Sequence, residues 1–176
     1  MGAILTVLDK GNFSLNLGFM QLGGELSEFD RQCAWELYTE LSTRVAVSGK
    51  INRDVDDFSG EILIESLSSL YSFFQEARNI MKRFPVGKIS MDDEDNHLGV
   101  LVNRILSDVL RPFLEKWQSN FRHWWEEESN PRVSPMERQA SFPEYDDFIA
   151  DWGSVRYLMR QVRDEIAKQY KLINIQ

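Results

Sequence analysis

Near the start of the chain Phe13, Leu15, Leu17 and Phe19 are separated by Ser14, Asn16 and Gly18, the period of two that belongs to a half-buried strand. Residues 3–8 supply a partner strand, and Gly11 and Asn12 between them tolerate positive φ, so the pattern predicts a β-hairpin over residues 1–21. A lone hairpin is marginal in water and has to rest on something larger.

From residue 27 the spacing changes to three and four. Ser27 and Asp30 stand as a capping pair, Ala34, Leu37, Tyr38, Leu41 and Val45 follow on one helical face, and Ser48-Gly49 ends the run. Residues 52–57 are polar and read as a turn. Leu63, Leu67, Leu70, Phe74, Ala77 and Met81 form the next apolar seam, which stops before Phe84-Pro85 because the residue ahead of a proline is driven out of the helical region. After an acidic loop, a wide apolar face runs from Leu98 to Trp124, broken only by Pro112, whose ring should collide with the carbonyl of Asp108 and kink or briefly break the helix. Residues 129–140, with Pro131 and Pro135, read as a linker, and Ser141-Phe142-Pro143-Glu144 as a capped helix start. Phe148, Trp152, Val155, Met159, Val162 and Ile166 complete a heptad seam too short for a free coiled coil. The prediction is a mainly α fold: a four-helix bundle-like single domain over 1–176, with helices at 27–47, 59–83, 98–128 and 141–170 and the hairpin at one end.

Composition narrows the classes. A chain of 176 residues with 43% hydrophobic content is long enough for one core. With 20 basic against 28 acidic residues the net charge is −8, which disfavours nucleic-acid backbones. No apolar run approaches the roughly 18 residues that cross a bilayer. The single cysteine, Cys33, allows no internal disulfide, and with no recognisable leader sequence the expected compartment is the cytoplasm.

Candidate chemistry is sparse. His123 and Glu127 share a helix face but lack further ligands for a transition metal. Glu94 and His97 have di-iron spacing once only, where two copies are needed, and Asp92 to Asp95 lack the alternation of a calcium loop. Arg156, Arg160 and Arg163 make a basic stripe that suits an anion, although Asp151, Asp164 and Glu165 nearby suggest ordinary salt-bridged helix flanks. Cys33 lies near a helix start, where a thiol pKa can fall, yet a buried small apolar thiol is the usual finding. Met1-Gly2 with Thr6 matches a loose myristoylation pattern without a second anchoring signal. Nucleophile elbows, phosphate loops and zinc-protease motifs are missing from the sequence. The reading therefore assigns no catalytic residue, no metal and no cofactor. It assigns an interface instead, at Trp124 and Trp125, which point about 100° apart on an ideal helix, and at Leu5 and Val7 on a hairpin strand with little charge to guard its edge.

Cys33-Ala34-Trp35-Glu36-Leu37-Tyr38 with Leu41-Ser42-Thr43-Arg44, and Leu110-Arg111-Pro112-Phe113-Leu114-Glu115-Lys116-Trp117, resemble segments of uncharacterised bacterial helical proteins of multi-component defence or conflict loci. The resemblance implies an accessory, partner-dependent component and brings no catalytic residue with it. The expected function is thus non-catalytic binding of another protein, or of a second copy, within a bacterial multi-protein and conceivably antiphage system. The alternative is a ligand sensor or enzyme whose site is assembled from dispersed Arg, His and Asp residues.

Overall fold

A computed structural model describes the backbone at 5–6 and 14–15, and residues 28–52, 55–84, 98–127 and 132–172. The fold is mainly helical, as the periodicity predicts. Strands β1 (Leu5–Thr6) and β2 (Ser14–Leu15) pair antiparallel, Leu5 opposite Leu15. Then follow α1 (Glu28–Thr43), a single turn α2 (Val45–Ser48), a second hairpin of β3 (Lys50–Asn52) and β4 (Val55–Asp57), α3 (Leu63–Arg83), and α4 (Leu98–Arg104). A π-helical segment (Ile105–Leu110) joins α4 to α5 (Arg111–Glu127), and α6 (Pro135–Ala140) leads into α7 (Tyr145–Gln169). Among the described residues no helix is long and apolar enough to cross a membrane.

The expected seams are the packed ones. On α7, Phe148, Trp152, Val155, Met159, Val162 and Ile166 are all buried. On α3 the centre of the seam is Leu63, Leu67, Leu70 and Ala77, but Phe73 and Ile80 are buried with them while Phe74 and Met81 are only half-buried. That rotation tilts the outer edge of α3 towards a groove described below. Helix α1 packs between α7 and α3, and α3 packs against the π segment and α5. Between α5 and α7 the contact is aromatic: Trp117 and Phe121 lie 5.0 Å from Phe148, and Phe113 lies 5.6 Å from Trp152, centroid to centroid.

Three local expectations need correction and a fourth is sharpened. Residues 52–57 are not a simple turn: Lys50, Ile51 and Asn52 pair with Asp57, Asp56 and Val55 across a two-residue connection. The strands are polar because ion pairs to α7, not apolar alternation, hold them down. Helix α3 starts at Leu63 rather than near 59, since Ser59 and Gly60 turn, with Gly60 at φ 80°. The capping box is at Ser134 and Glu137, with Pro135 at the first helical position, so α6 stands where a linker was expected, and the start of α7 at Tyr145 has no side-chain cap. Helix α6 in turn completes α3. The N-cap of α3, Ile62, offers no side-chain acceptor, and the buried Gln139 of α6 supplies one by accepting from the Leu63 amide at 3.0 Å while donating to the Glu61 carbonyl at 2.8 Å. Finally, the irregularity expected at Pro112 takes the form of a widened turn immediately upstream of it. Arg111 donates to the Leu106 carbonyl five residues back, and the looser winding makes room for a ring that an α-turn would exclude.

Candidate functional site

Helix α7 brings the arginine stripe onto the second hairpin. Arg156 is fully buried; its Nε donates to the Ala46 carbonyl at 3.0 Å and its Nη2 to Glu61 at 2.7 Å, and its plane lies 4.6 Å from the Phe58 ring centre. Arg160 makes a two-pronged pair with Asp56 at 2.7 and 2.8 Å, and Arg163 pairs with Asp164 at 2.7 Å. These guanidiniums are already matched by carboxylates of the same chain. The anion-binding stripe expected from Arg156, Arg160 and Arg163 is therefore corrected: Arg156 and Arg160 form an internal clasp that fixes β4 and Glu61 to α7, and Arg163 pairs within α7. Asp56, Glu61 and the second hairpin, which sequence periodicity passes over, are the missing half of it.

The other chemical candidates separate in space. His123 and Glu127 are exposed and 3.4 Å apart, and no group of three metal-ligating side chains exists among the described residues. Cys33 is buried, and desolvation, aided by Glu36, pushes its thiol pKa up, which contradicts the notion of a helix-activated nucleophile. Asp92 to Asp95, Glu94 with His97, Val7, and Met1-Gly2 lie outside the described residues; Leu5 lies in β1. Trp124 and Trp125 are both half-buried against the core. Trp124 rests 5.1 Å from Phe142, and Arg138 of α6 lies 4.1 Å over the face of Trp125. The segment from α6 to Phe142 thus supplies a contact to each ring, Arg138 of α6 to Trp125 and Phe142 beyond it to Trp124.

A separate concave surface lies between α3 and the rod formed by the π segment and α5. It is an open groove of about 750 Å³. Tyr71 and Phe74 line it from α3, Leu106 and Leu114 from the opposite wall. Leu106 and Leu114 belong to the buried core, Phe74 is half-buried and Tyr71 is 39% exposed, so the floor is apolar and grades into the core. Arg78, Arg111 and Arg122 stand along the groove with one carboxylate, Glu115. Glu115 accepts from Arg111 at 2.7 Å, and this pairing pushes the guanidinium pKa up. Arg78 lies 5.6 Å from the Phe74 ring centre, and Arg122 donates across to the Ser68 hydroxyl of α3 at 3.2 Å. The signal for one wall is present in the sequence as Asn103, Ser107, Arg111, Glu115 and Ser119, polar at every fourth residue, a stripe on one face of the rod. The opposing wall is set by tertiary packing.

No protein-family model, no curated protein and no solved structure matches this chain.

Proposed function

We propose that the chain is a non-catalytic protein-binding module, a subunit or accessory component of a larger assembly, and that the groove between α3 and α5 is its docking surface. The observation that carries this is the groove itself: an apolar floor continuous with the core, rimmed by arginines and open along the helices. Surfaces that bury an apolar centre inside a polar rim containing Arg and Tyr are what protein interfaces use. The resemblance of residues 33–44 and 110–117 to helical components of bacterial defence loci favours an assembly of that kind, working in the cytoplasm. It is notable that the second of these segments, Leu110 to Trp117, contributes Arg111, Leu114 and Glu115 to the groove. A net charge of −8 favours protein over nucleic acid as the partner.

The test is affinity capture from the source organism combined with sizing, comparing wild type with the double variant Arg78→Glu/Arg122→Glu. Thermal melts of both come first. The expected result is a discrete complex with wild type and about a tenfold or greater loss of partner with the variant at unchanged melting. Equal recovery by both proteins would place the interface elsewhere, and a wild type that is monomeric and recovers no specific partner would overturn the reading.

A further inference from the structure

We infer that the occupant of the groove is an amphipathic helix of a partner protein, with its apolar stripe flanked at both ends by carboxylates. This rests on the reading of the groove as a docking surface and specifies what docks there. Shape and length are the first support. On one side the lining runs from Asn103 to Arg122, nineteen residue steps or about 28 Å of helix, and on the other from Tyr71 to Arg78, seven steps or about 10 Å, so the groove is walled on both sides for about two helical turns and open beyond, a geometry that takes a helix laid into a groove.

Charge is the second, independent support. The chain carries 28 acidic against 20 basic residues, yet its groove has three arginines and one glutamate. That glutamate is bound by Arg111, while Arg78 and Arg122 have no carboxylate partner among the described residues. Arg122 is half-buried and Arg78 exposed, yet each has a contact that restricts it. Arg78 is held over Phe74 and Arg122 is tied to Ser68, so less rotamer entropy is lost when an anion arrives.

The spacing gives the partner a register. Arg111 and Arg122 lie eleven residues apart on one rod, close to three turns and about 16 Å along its axis. Arg78 lies ten residues beyond Ser68, the residue that holds Arg122. On antiparallel packing of α3 and α5 this sets Arg78 at the Arg111 end. Two basic stations three turns apart match acidic residues at i and i+11 of a helix, with apolar residues at i+4 and i+7 or i+8 meeting Tyr71, Phe74, Leu106 and Leu114. The π segment supplies Leu106 and Ser107 to the same wall, and such widened turns concentrate at functional sites.

Fluorescence anisotropy with two labelled helical peptides of about 18 residues tests this. Both carry Leu at the inner positions; one has Glu at i and i+11, the other Lys. The full chain, as wild type, Arg78→Glu/Arg122→Glu and Arg78→Lys/Arg122→Lys, is titrated into each at low and moderate salt. The expected result is that the Glu peptide binds wild type at least about tenfold more tightly than the Lys peptide, that salt narrows the difference, that charge reversal inverts it, and that the lysine variant keeps most of it. Equal affinity for both peptides overturns the inference. So does binding of anionic vesicles or of a single-stranded oligonucleotide that the Glu peptide fails to displace, because the arginines would then serve a polyanion. So does a wild-type dimer that charge reversal dissociates, because a second copy would then be the occupant. If neither peptide binds while the natural partner is still lost on charge reversal, docking stands and its acidic helical chemistry falls. If the charge-reversed protein retains the partner, the docking reading itself falls.

Discussion

Arg156 is the side chain whose surroundings are most tightly specified. Its guanidinium has no exposed surface, its nearest carboxylate is Glu61 at 2.7 Å, and Asp56 is 3.8 Å from its Nη1. Gly49 makes the site possible: it sits at φ 35°, and a Cβ there would fall 2.4 Å from Nη1, so a side chain would meet both backbone strain and the guanidinium. A buried charge stripped of its partner is worse than no charge at all. Glu61→Ala is therefore expected to cost about 3 to 5 kcal/mol in urea unfolding, a large part of a typical total of roughly 5 to 15. The double variant Glu61→Ala/Arg156→Met should recover a measurable share of that loss. A Glu61→Ala protein with unchanged stability would show that Arg156 does not depend on the pair. The sequence offers Arg156, Arg160 and Arg163 either an external anion or neighbouring carboxylates such as Asp164, and only Arg163 takes such a neighbour. The carboxylates that bind Arg156 and Arg160 come from residues 95 and 104 positions away, and local periodicity carries no record of such distant partners.

At the scale of elements, the long apolar seams were legible because 3.6-residue periodicity accumulates over many turns. Leu67, Leu70 and Ala77, like Phe148 through Ile166, are buried as their spacing implies. Short elements were not legible. Helix α6 has six residues and β3 and β4 three each, too few for a period to show, and they exist through specific bonds. In α6 these are the Ser134 hydroxyl accepting from the Glu137 amide at 3.3 Å and the Glu137 carboxylate accepting from the Ser134 amide at 3.1 Å. The Ser134 side-chain and backbone hydrogen bonds hold the Glu137 pKa below the ordinary glutamate range. A carboxyl whose folded pKa is depressed contributes stability that is fully present above its unfolded value, about 4.3, and is lost as pH falls through the folded value. Glu137→Ala should thus melt below wild type at neutral pH, with a gap that closes as pH is lowered through and below the ordinary glutamate range. A gap independent of pH would remove the carboxylate charge from the capping of α6. Because Gln139 of the same helix caps α3, loosening α6 should be felt at the start of α3 as well, as faster amide exchange near Leu63.

For the whole molecule, the mainly α class follows from pattern alone, whereas the groove needs two helices brought side by side. Its rim residues Arg111 and Glu115 could be read as one more salt-bridged pair on a helix face, and Tyr71 and Phe74 as the edge of a core seam; only packing turns them towards the same space. The aromatic residues singled out from sequence, Trp124 and Trp125, are half-buried against the core, and the proposed interface is set at the groove, whose arginines offer a polar rim. The most direct measurement is cysteine footprinting of the natural complex. Ser107→Cys and Ser119→Cys place thiols in the groove and Tyr157→Cys places one on the exposed side of α7, while the buried Cys33, with its raised pKa, contributes little background to maleimide labelling. The expected result is that the partner slows labelling at residues 107 and 119 by about tenfold or more and leaves 157 unchanged. Undiminished labelling in the groove of an intact complex, or protection at 157 alone, would contradict the assignment of this groove as the docking surface.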